Sequence, residues 1–156
     1  MASDPQHSTT PELTIVVPTY NERDNVRPLV GLLEKALKGH RWEVVFVDDD
    51  SPDGTAREVR AVAREKPNVR VIHRIGRRGL AGACIEGILS SVAPIVAVMD
   101  GDLQHDETIL AQMLEMMQAD PDLDLVIASR NVEGGSSGNG LSAVRKWGSD
   151  TATAIA

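Results

Sequence analysis

The sequence predicts an α/β fold in which helices flank a parallel sheet. Two observations carry this. From Leu13 onward, short runs rich in β-branched residues alternate with amphipathic segments of helical length, the pattern of βαβ units. The chemically distinctive residues all fall just after the apolar runs, where a parallel sheet presents its ligand-binding edge. The length of 156 residues suits one domain of ordinary size.

Leu13 to Val17 reads as the first strand, closed by Pro18, which cannot donate to a ladder. Asn21 reads as a helix cap with Glu22 and Asp24 in the first turn, and Val26, Leu29, Val30, Leu33 and Leu37 follow at helical spacing. Gly39 ends that helix. Trp42 to Val47 is the second strand, and Asp48-Asp-Asp-Ser-Pro-Asp-Gly-Thr55 turns into a helix with Ala56, Val59, Val62 and Ala63 on one face. Pro67 and Asn68 end it, and Val69 to His73 is the third strand. A loop with Arg74, Arg77 and Arg78 leads through Gly79 into a helix carrying Leu80, Ala83, Cys84, Gly87 and Ile88, whose small residues let it lie close to the sheet.

Ile95 to Met99 reads as a buried central strand. A helix from about Asp106 follows, with Ile109, Leu110, Met113, Met116 and Met117 inward and methionine serving as core filler. Leu123 to Ala128 reads as a fifth strand, closed by Ser129-Arg130. Glu133-Gly-Gly-Ser-Ser-Gly-Asn-Gly140 has the composition of a mobile loop or lid, and Leu141 to Ala156 starts a further helix that stops without a cap. Residues 1–12, polar and containing Pro5 and Pro11, read as a flexible tail. Residues 13–156 read as the front portion of a larger domain.

Composition excludes several functions. Only 3% of residues are aromatic, too few to stack successive bases. The net charge of −7 and a pI near 5.0 oppose broad binding to nucleic acid, which needs a basic stripe to displace counterions. The single cysteine, Cys84, rules out an internal disulfide or a cysteine zinc cluster and fits a reducing, cytoplasmic compartment. No stretch approaches the ~18 to 20 consecutive apolar residues of a membrane span.

The chemistry therefore sits at the strand ends. Asp48, Asp49 and Asp50 repel one another unless something shares their charge; they serve either as caps and partners of arginine, or as acceptors for a ligand's N–H and O–H groups. Asp100 and Asp102, separated by Gly101, form either a solvated turn or a pair of carboxylates around one cation. Oxygen-only ligation suits Mg²⁺ or Mn²⁺ bridging to substrate phosphates. His105 is an orienting or capping residue in this reading. Arg74, Arg77 and Arg78 form a basic loop, solvated or phosphate-facing, while Arg130 and Arg145 are better placed to grip phosphate against an acid-rich rim.

Taken together, Val16-Val-Pro-Thr-Tyr-Asn-Glu22, Val47-Asp-Asp-Asp-Ser-Pro-Asp-Gly-Thr55, Arg78-Gly-Leu80, Val98-Met-Asp-Gly-Asp-Leu-Gln-His105 and Ala128-Ser-Arg130 resemble the dolichyl/polyprenyl-phosphate mannosyltransferases of the inverting glycosyltransferase family 2. The resemblance implies an A-type glycosyltransferase fold, Rossmann-like with a mostly parallel sheet, of which the chain holds the nucleotide-sugar-binding front portion. It implies that Pro18, Tyr20, Glu22, Val47 and Asp49 hold the donor nucleoside, and that Asp100, Gly101, Asp102 and Gln104 form the metal and diphosphate motif. It further implies that Arg130 and Arg145 face the donor diphosphate and acceptor phosphate. Among these, Asp100, Asp102 and Arg130 carry catalysis. Family members commonly have Ala where this chain has Gly101, and Pro where it has Asp106.

The implied reaction moves a hexose, mannose in the first instance, from a nucleotide diphosphate sugar to a polyprenyl phosphate with Mg²⁺ or Mn²⁺. GDP-mannose is the expected donor and UDP-glucose the other option. An anionic acceptor oxygen needs no strong general base. Transfer to a sugar or protein hydroxyl does need one, and remains the rival within the class. Dinucleotide-dependent redox chemistry is disfavoured, because the first strand lacks the Gly-x-Gly-x-x-Gly turn. A non-catalytic Mg²⁺-binding regulatory module is the rival from another class. As a front portion, the chain is expected to bind donor and turn over poorly, to work at the cytoplasmic face of a membrane, and to reach that surface through parts beyond it.

Overall fold

The computed structural model describes residues 10–128. Among them run β1 (Leu13–Thr19), a 3₁₀ turn (Arg23–Asn25), α1 (Val26–Ala36), β2 (Trp42–Asp48), α2 (Thr55–Glu65), β3 (Val69–His73), α3 (Leu80–Leu89), β4 (Ile95–Val98) and α4 (Ile109–Ala119). The strands form one sheet, all parallel, in the order β3-β2-β1-β4. Thr10 and Glu12 are already tied down, since Glu12 N donates to Arg41 O at 2.7 Å and Arg41 Nε donates to Thr10 O at 3.2 Å.

Alternation along β1 sends Leu13, Ile15 and Val17 to one face and Val16 to the other. On the first face they join Leu29, Val30 and Leu33 of α1, Val59 and Val62 of α2, Leu110 and Leu114 of α4, and Phe46 in one core. The second face is thinner, with Val16, Val45 and Val47 packed against Ala83 of α3. The close approach expected of this small-residue helix is present: a Cβ at Gly87 would stand 2.3 Å from Val16 Cγ1.

Several boundaries differ from expectation. Pro18 does not end β1 but pairs in register with Val47, and the strand runs on to Thr19. Residues of a parallel strand turn their amide and carbonyl to alternate neighbours. Val16 faces β4, its carbonyl accepting from Met99 N at 3.1 Å; Pro18, two residues on, faces the same way but lies past the end of β4 at Val98. The donor that proline lacks is one the ladder does not use. Asn21 is not a cap either; it sits in the left-handed region at φ 62°. The amides of Asn21, Glu22 and Arg23 are instead capped from the β2–α2 loop by Ser51 Oγ, Thr55 Oγ1 and Asp53 Oδ2, each at 3.0 Å.

In α3, Ala83 and Gly87 face the sheet while Leu80 and Ile88 are exposed and Cys84 is half-buried. β4 is half-buried rather than buried, because α3 packs on β1 and β2 rather than on it and no strand flanks its outer edge among the described residues. Leu123 to Ala128 forms no strand. Leu125 is 69% exposed, and the amides of Asp122 and Leu123 turn back onto Asp120, leaving the run without a ladder partner. α4 begins at Ile109, with Leu110 and Leu114 in the core, Met113 and Met117 half-buried and Met116 exposed; the inward stripe follows the leucines, which puts Met116 on the outer side.

Among the described residues no helix is long and apolar enough to cross a membrane. The expectations for Ser129, Arg130, the loop 133–140, Arg145 and the final helix lie outside the described residues.

Candidate functional site at the strand ends

Parallel pairing brings the carboxyl ends of all four strands to one rim, the usual ligand edge of such sheets. Pro18 and Val47 lie side by side there. Val47 is buried against the second face, so it shapes the rim through its backbone.

The three adjacent acids after β2 have separate partners. Asp48 is fully buried; its carboxylate accepts from Ser51 N at 3.0 Å, Ser51 Oγ at 2.5 Å and Thr19 Oγ1 at 3.4 Å. It locks the turn. Asp49, 8% exposed, accepts from Arg74 Nη1 at 2.5 Å and from the Gly79 amide at 2.7 Å. Asp50, in the left-handed region at φ 57°, pairs with His73 Nε2 at 3.0 Å. Neither Asp50 nor Ser51 caps α2. The N-cap is Gly54, which offers no side chain, while Asp53 just before it braces the turn, its Oδ1 accepting from Thr55 N at 2.9 Å and from Thr55 Oγ1 at 2.6 Å. Partial burial opposes ionisation of Asp53, but the hydrogen bonds from the Thr55 hydroxyl and from the Arg23 and Thr55 amides outweigh it and hold the carboxyl below its ordinary value.

The arginine loop is not a uniform solvated strip. Arg74 is only 5% exposed; beyond its bond to Asp49 it donates from Nε to Glu86 Oε1 and from Nη1 to Gly79 O, both at 3.1 Å. Gly82 makes room for it, since a Cβ there would stand 2.6 Å from Arg74 Nη2. Arg77 stays exposed and donates to Glu86 Oε1 at 2.7 Å. Arg78 lies over the ring of Tyr20, 4.6 Å from its centroid, a cation on an aromatic face that ties the end of β1 to the β3–α3 loop. Tyr20 itself is 43% exposed.

After β4, Asp100, Asp102, Gln104 and His105 are all exposed. Asp102 Oδ1 accepts from Gln104 N at 3.0 Å, bridging Leu103, which sits at φ 62°. Asp100 Oδ2 lies 3.3 Å from His105 Nε2, the orienting position expected of that histidine. Gly101 seats this turn on β1: a Cβ there would meet Val17 Cγ1 at 3.2 Å and Thr19 Cγ2 at 3.3 Å, with Glu22 Cγ at 3.9 Å. Glu22 Oε2 in turn accepts from Asn25 Nδ2 at 2.5 Å. The Cys84 thiol is pushed up by burial and by the Asp100 charge, which keeps it protonated.

Among the described residues no three His, Cys, Asp or Glu side chains converge as a ready-made metal cage. Two exposed carboxylates and a side-chain amide nevertheless fit Mg²⁺ or Mn²⁺, hard cations that take one or two carboxylates and complete their shell with phosphate and water oxygens. Arg130 and Arg145 lie outside the described residues. Reading the sequence did not single out the buried role of Arg74, the space at Gly82 or the Ser51, Asp53 and Thr55 caps. The one available signal was Asp49, an acid that needed a cation.

The chain matches the family model described as glycosyl transferase family 2 over residues 14–151. It is 37% identical over 124 residues to a dolichol-phosphate mannosyltransferase of Pyrococcus furiosus, covering 80% of this chain and 34% of that protein. It is 38% identical over 123 residues to an undecaprenyl-phosphate mannosyltransferase of Micrococcus luteus, covering 77% of this chain and 49% of that one. A solved structure, the mannosyltransferase PcManGT from Pyrobaculum calidifontis in complex with GDP-Man and Mn²⁺, is similar with a TM-score of 0.61 at 31% identity, over 77% of this chain and 35% of that one. The chain thus spans about a third to a half of the length of these relatives. Its fold is that of the A-type glycosyltransferases. The chain belongs to glycosyl transferase family 2.

Proposed function

We propose that this chain carries the donor side of an inverting hexosyl transfer in which mannose moves from GDP-mannose to a polyprenyl phosphate such as dolichyl phosphate. The observation that carries the reading is the turn after β4, where Asp100 and Asp102 stand exposed and Gly101 seats them beside Thr19 and Glu22. The names of the relatives, and the GDP-Man and Mn²⁺ of the similar structure, support the choice of sugar, acceptor and ion.

Asp100, Asp102 and Gln104 hold Mg²⁺ or Mn²⁺, which when bound supplies positive charge to the leaving diphosphate. Pro18, Tyr20, Glu22, Val47 and Asp49 form the nucleoside side, and Gly101 lets the backbone approach the diphosphate. The family resemblance assigns Arg130 and Arg145 to the donor diphosphate and the acceptor phosphate. The acceptor oxygen, already anionic at neutral pH, attacks the anomeric carbon opposite the leaving group, so no strong base is required. The bond to the nucleoside diphosphate breaks and its electron pair leaves with GDP. Because the acceptor is a lipid, the reaction takes place at a membrane surface, and a chain with one cysteine, which relies on no disulfide, suits its cytoplasmic face.

Calorimetric titration with GDP-mannose, and with UDP-glucose in parallel, tests the reading in the presence and absence of Mn²⁺. Metal-dependent binding of GDP-mannose, weaker binding of UDP-glucose and loss of the metal dependence in Asp102→Ala are expected. No binding of either sugar nucleotide would overturn the donor role. Metal-dependent binding that survives Asp102→Ala would overturn the placement of the ion.

A further inference from the structure

Arg74 is a buried cation whose fork joins three acceptors from three segments: Asp49 after β2, Glu86 in α3 and the carbonyl of Gly79. We propose that Arg74 is a positioning residue for the nucleoside subsite, acting through Asp49; the proposal rests on the donor reading above. A buried carboxylate without a partner is strongly disfavoured, and Arg74 with the Gly79 amide removes that difficulty while fixing the orientation of Asp49. Each carboxylate oxygen offers two acceptor positions. One on each is filled, by Arg74 on Oδ1 and by Gly79 on Oδ2, so the unused positions remain for the N–H or O–H donors of a nucleoside.

Lysine cannot replace this arrangement, because a point charge on a flexible stem lacks the rigid fork that spans several acceptors. The arrangement also depends on Gly82. Its missing side chain leaves the volume that the guanidinium occupies, and a methyl group there, 2.6 Å from Arg74 Nη2, forces the guanidinium to shift and so disturbs the Nη1 bond to Asp49 without changing any charge.

The test titrates the full 156-residue chain as wild type, Gly82→Ala and Arg74→Lys with GDP plus Mn²⁺, and with inorganic pyrophosphate plus Mn²⁺. Both variants should weaken GDP about tenfold, the order expected when one charge-assisted hydrogen bond is misaligned, and leave pyrophosphate within about twofold of wild type. A general loss of structure would weaken both probes alike. Repeating the titration with 2′,3′-dideoxy-GDP separates the two sources of donors: a penalty that persists assigns the contact to the base, and one that vanishes assigns it to the ribose. Circular dichroism checks folding, and if Arg74→Lys unfolds, Gly82→Ala decides. Unchanged GDP affinity in Gly82→Ala, or equal losses of GDP and pyrophosphate, overturns the positioning role and leaves the donor reading standing. A wild-type chain that binds neither probe overturns the donor reading, and the positioning role with it.

Discussion

Gly87→Ala tests how α3 is held against the sheet. The added Cβ would stand 2.3 Å from Val16 Cγ1, 3.0 Å from Val16 Cγ2 and 3.1 Å from Val47 Cγ2. Carbon atoms prefer about 3.5 to 4.0 Å, so α3 must retreat by roughly 1 Å or Val16 must leave its rotamer. Val16 has little freedom to move, being fully buried in a strand paired on both sides. Overpacking of this kind costs about 1 to 3 kcal/mol, while replacing a mid-helix glycine by alanine returns about 1 kcal/mol at most. An approach as close as 2.3 Å belongs at the upper end of that range, about 2 to 3 kcal/mol, so the expected net is a destabilisation of about 1 to 2 kcal/mol. Urea unfolding should show a lower midpoint with an unchanged slope. Adding Val16→Ala should relieve the clash, so the double variant should cost less than the sum of the two single ones. A retreat of α3 would also draw the Gly79 amide away from Asp49, so GDP affinity should fall in the single variant. A Gly87→Ala protein as stable as wild type would refute the close contact.

Three further outcomes are expected. Gly101→Ala meets Val17 Cγ1 and Thr19 Cγ2 at 3.2 and 3.3 Å, a gap a few tenths of an ångström too small, so it should cost about 1 kcal/mol or less in thermal melting. Asp53 has a folded pKa below its ordinary value of 3.8; its contribution is therefore fully present above that value and lost as pH falls through the lower folded value. The stability difference between wild type and Asp53→Asn, followed by denaturant unfolding, should be constant from neutral pH down to about pH 5 and shrink in stronger acid. Arg78→Ala removes the cation from the half-exposed Tyr20 ring, an interaction of about 0.5 to 1 kcal/mol at such sites, and a double-mutant cycle with Tyr20→Leu should return a coupling of that size.

The local signals that proved legible were those that depend on one segment alone. β3 matches its expected span of Val69 to His73, because a β-branched run between Pro67-Asn68 and an arginine loop is readable without its neighbours. α2 buries Ala56, Val59 and Val62, because a period of 3.6 residues is written in the order of residues. Asn21 misled for the opposite reason: it stands where a cap belongs, yet Ser51, Asp53 and Thr55 supply the caps from about thirty positions away. Leu123 to Ala128 has the short apolar, β-branched composition of a strand, but a strand requires a ladder partner, which no local pattern supplies.

The order of residues was enough for the parallel α/β architecture, the rim at the strand ends and the motifs gathered there, since periodicity and residue type act locally and topology follows from alternation. How the acids divide emerged only once the chain was packed. Asp48 became a turn lock, Asp49 the partner of Arg74 and Asp50 the partner of His73, although the three are chemically identical and adjacent. The physical reason is that burial and charge pairing depend on what the fold brings near each carboxylate. Arg74 reaches Asp49 across twenty-five residues, and Gly82 leaves it the space to do so.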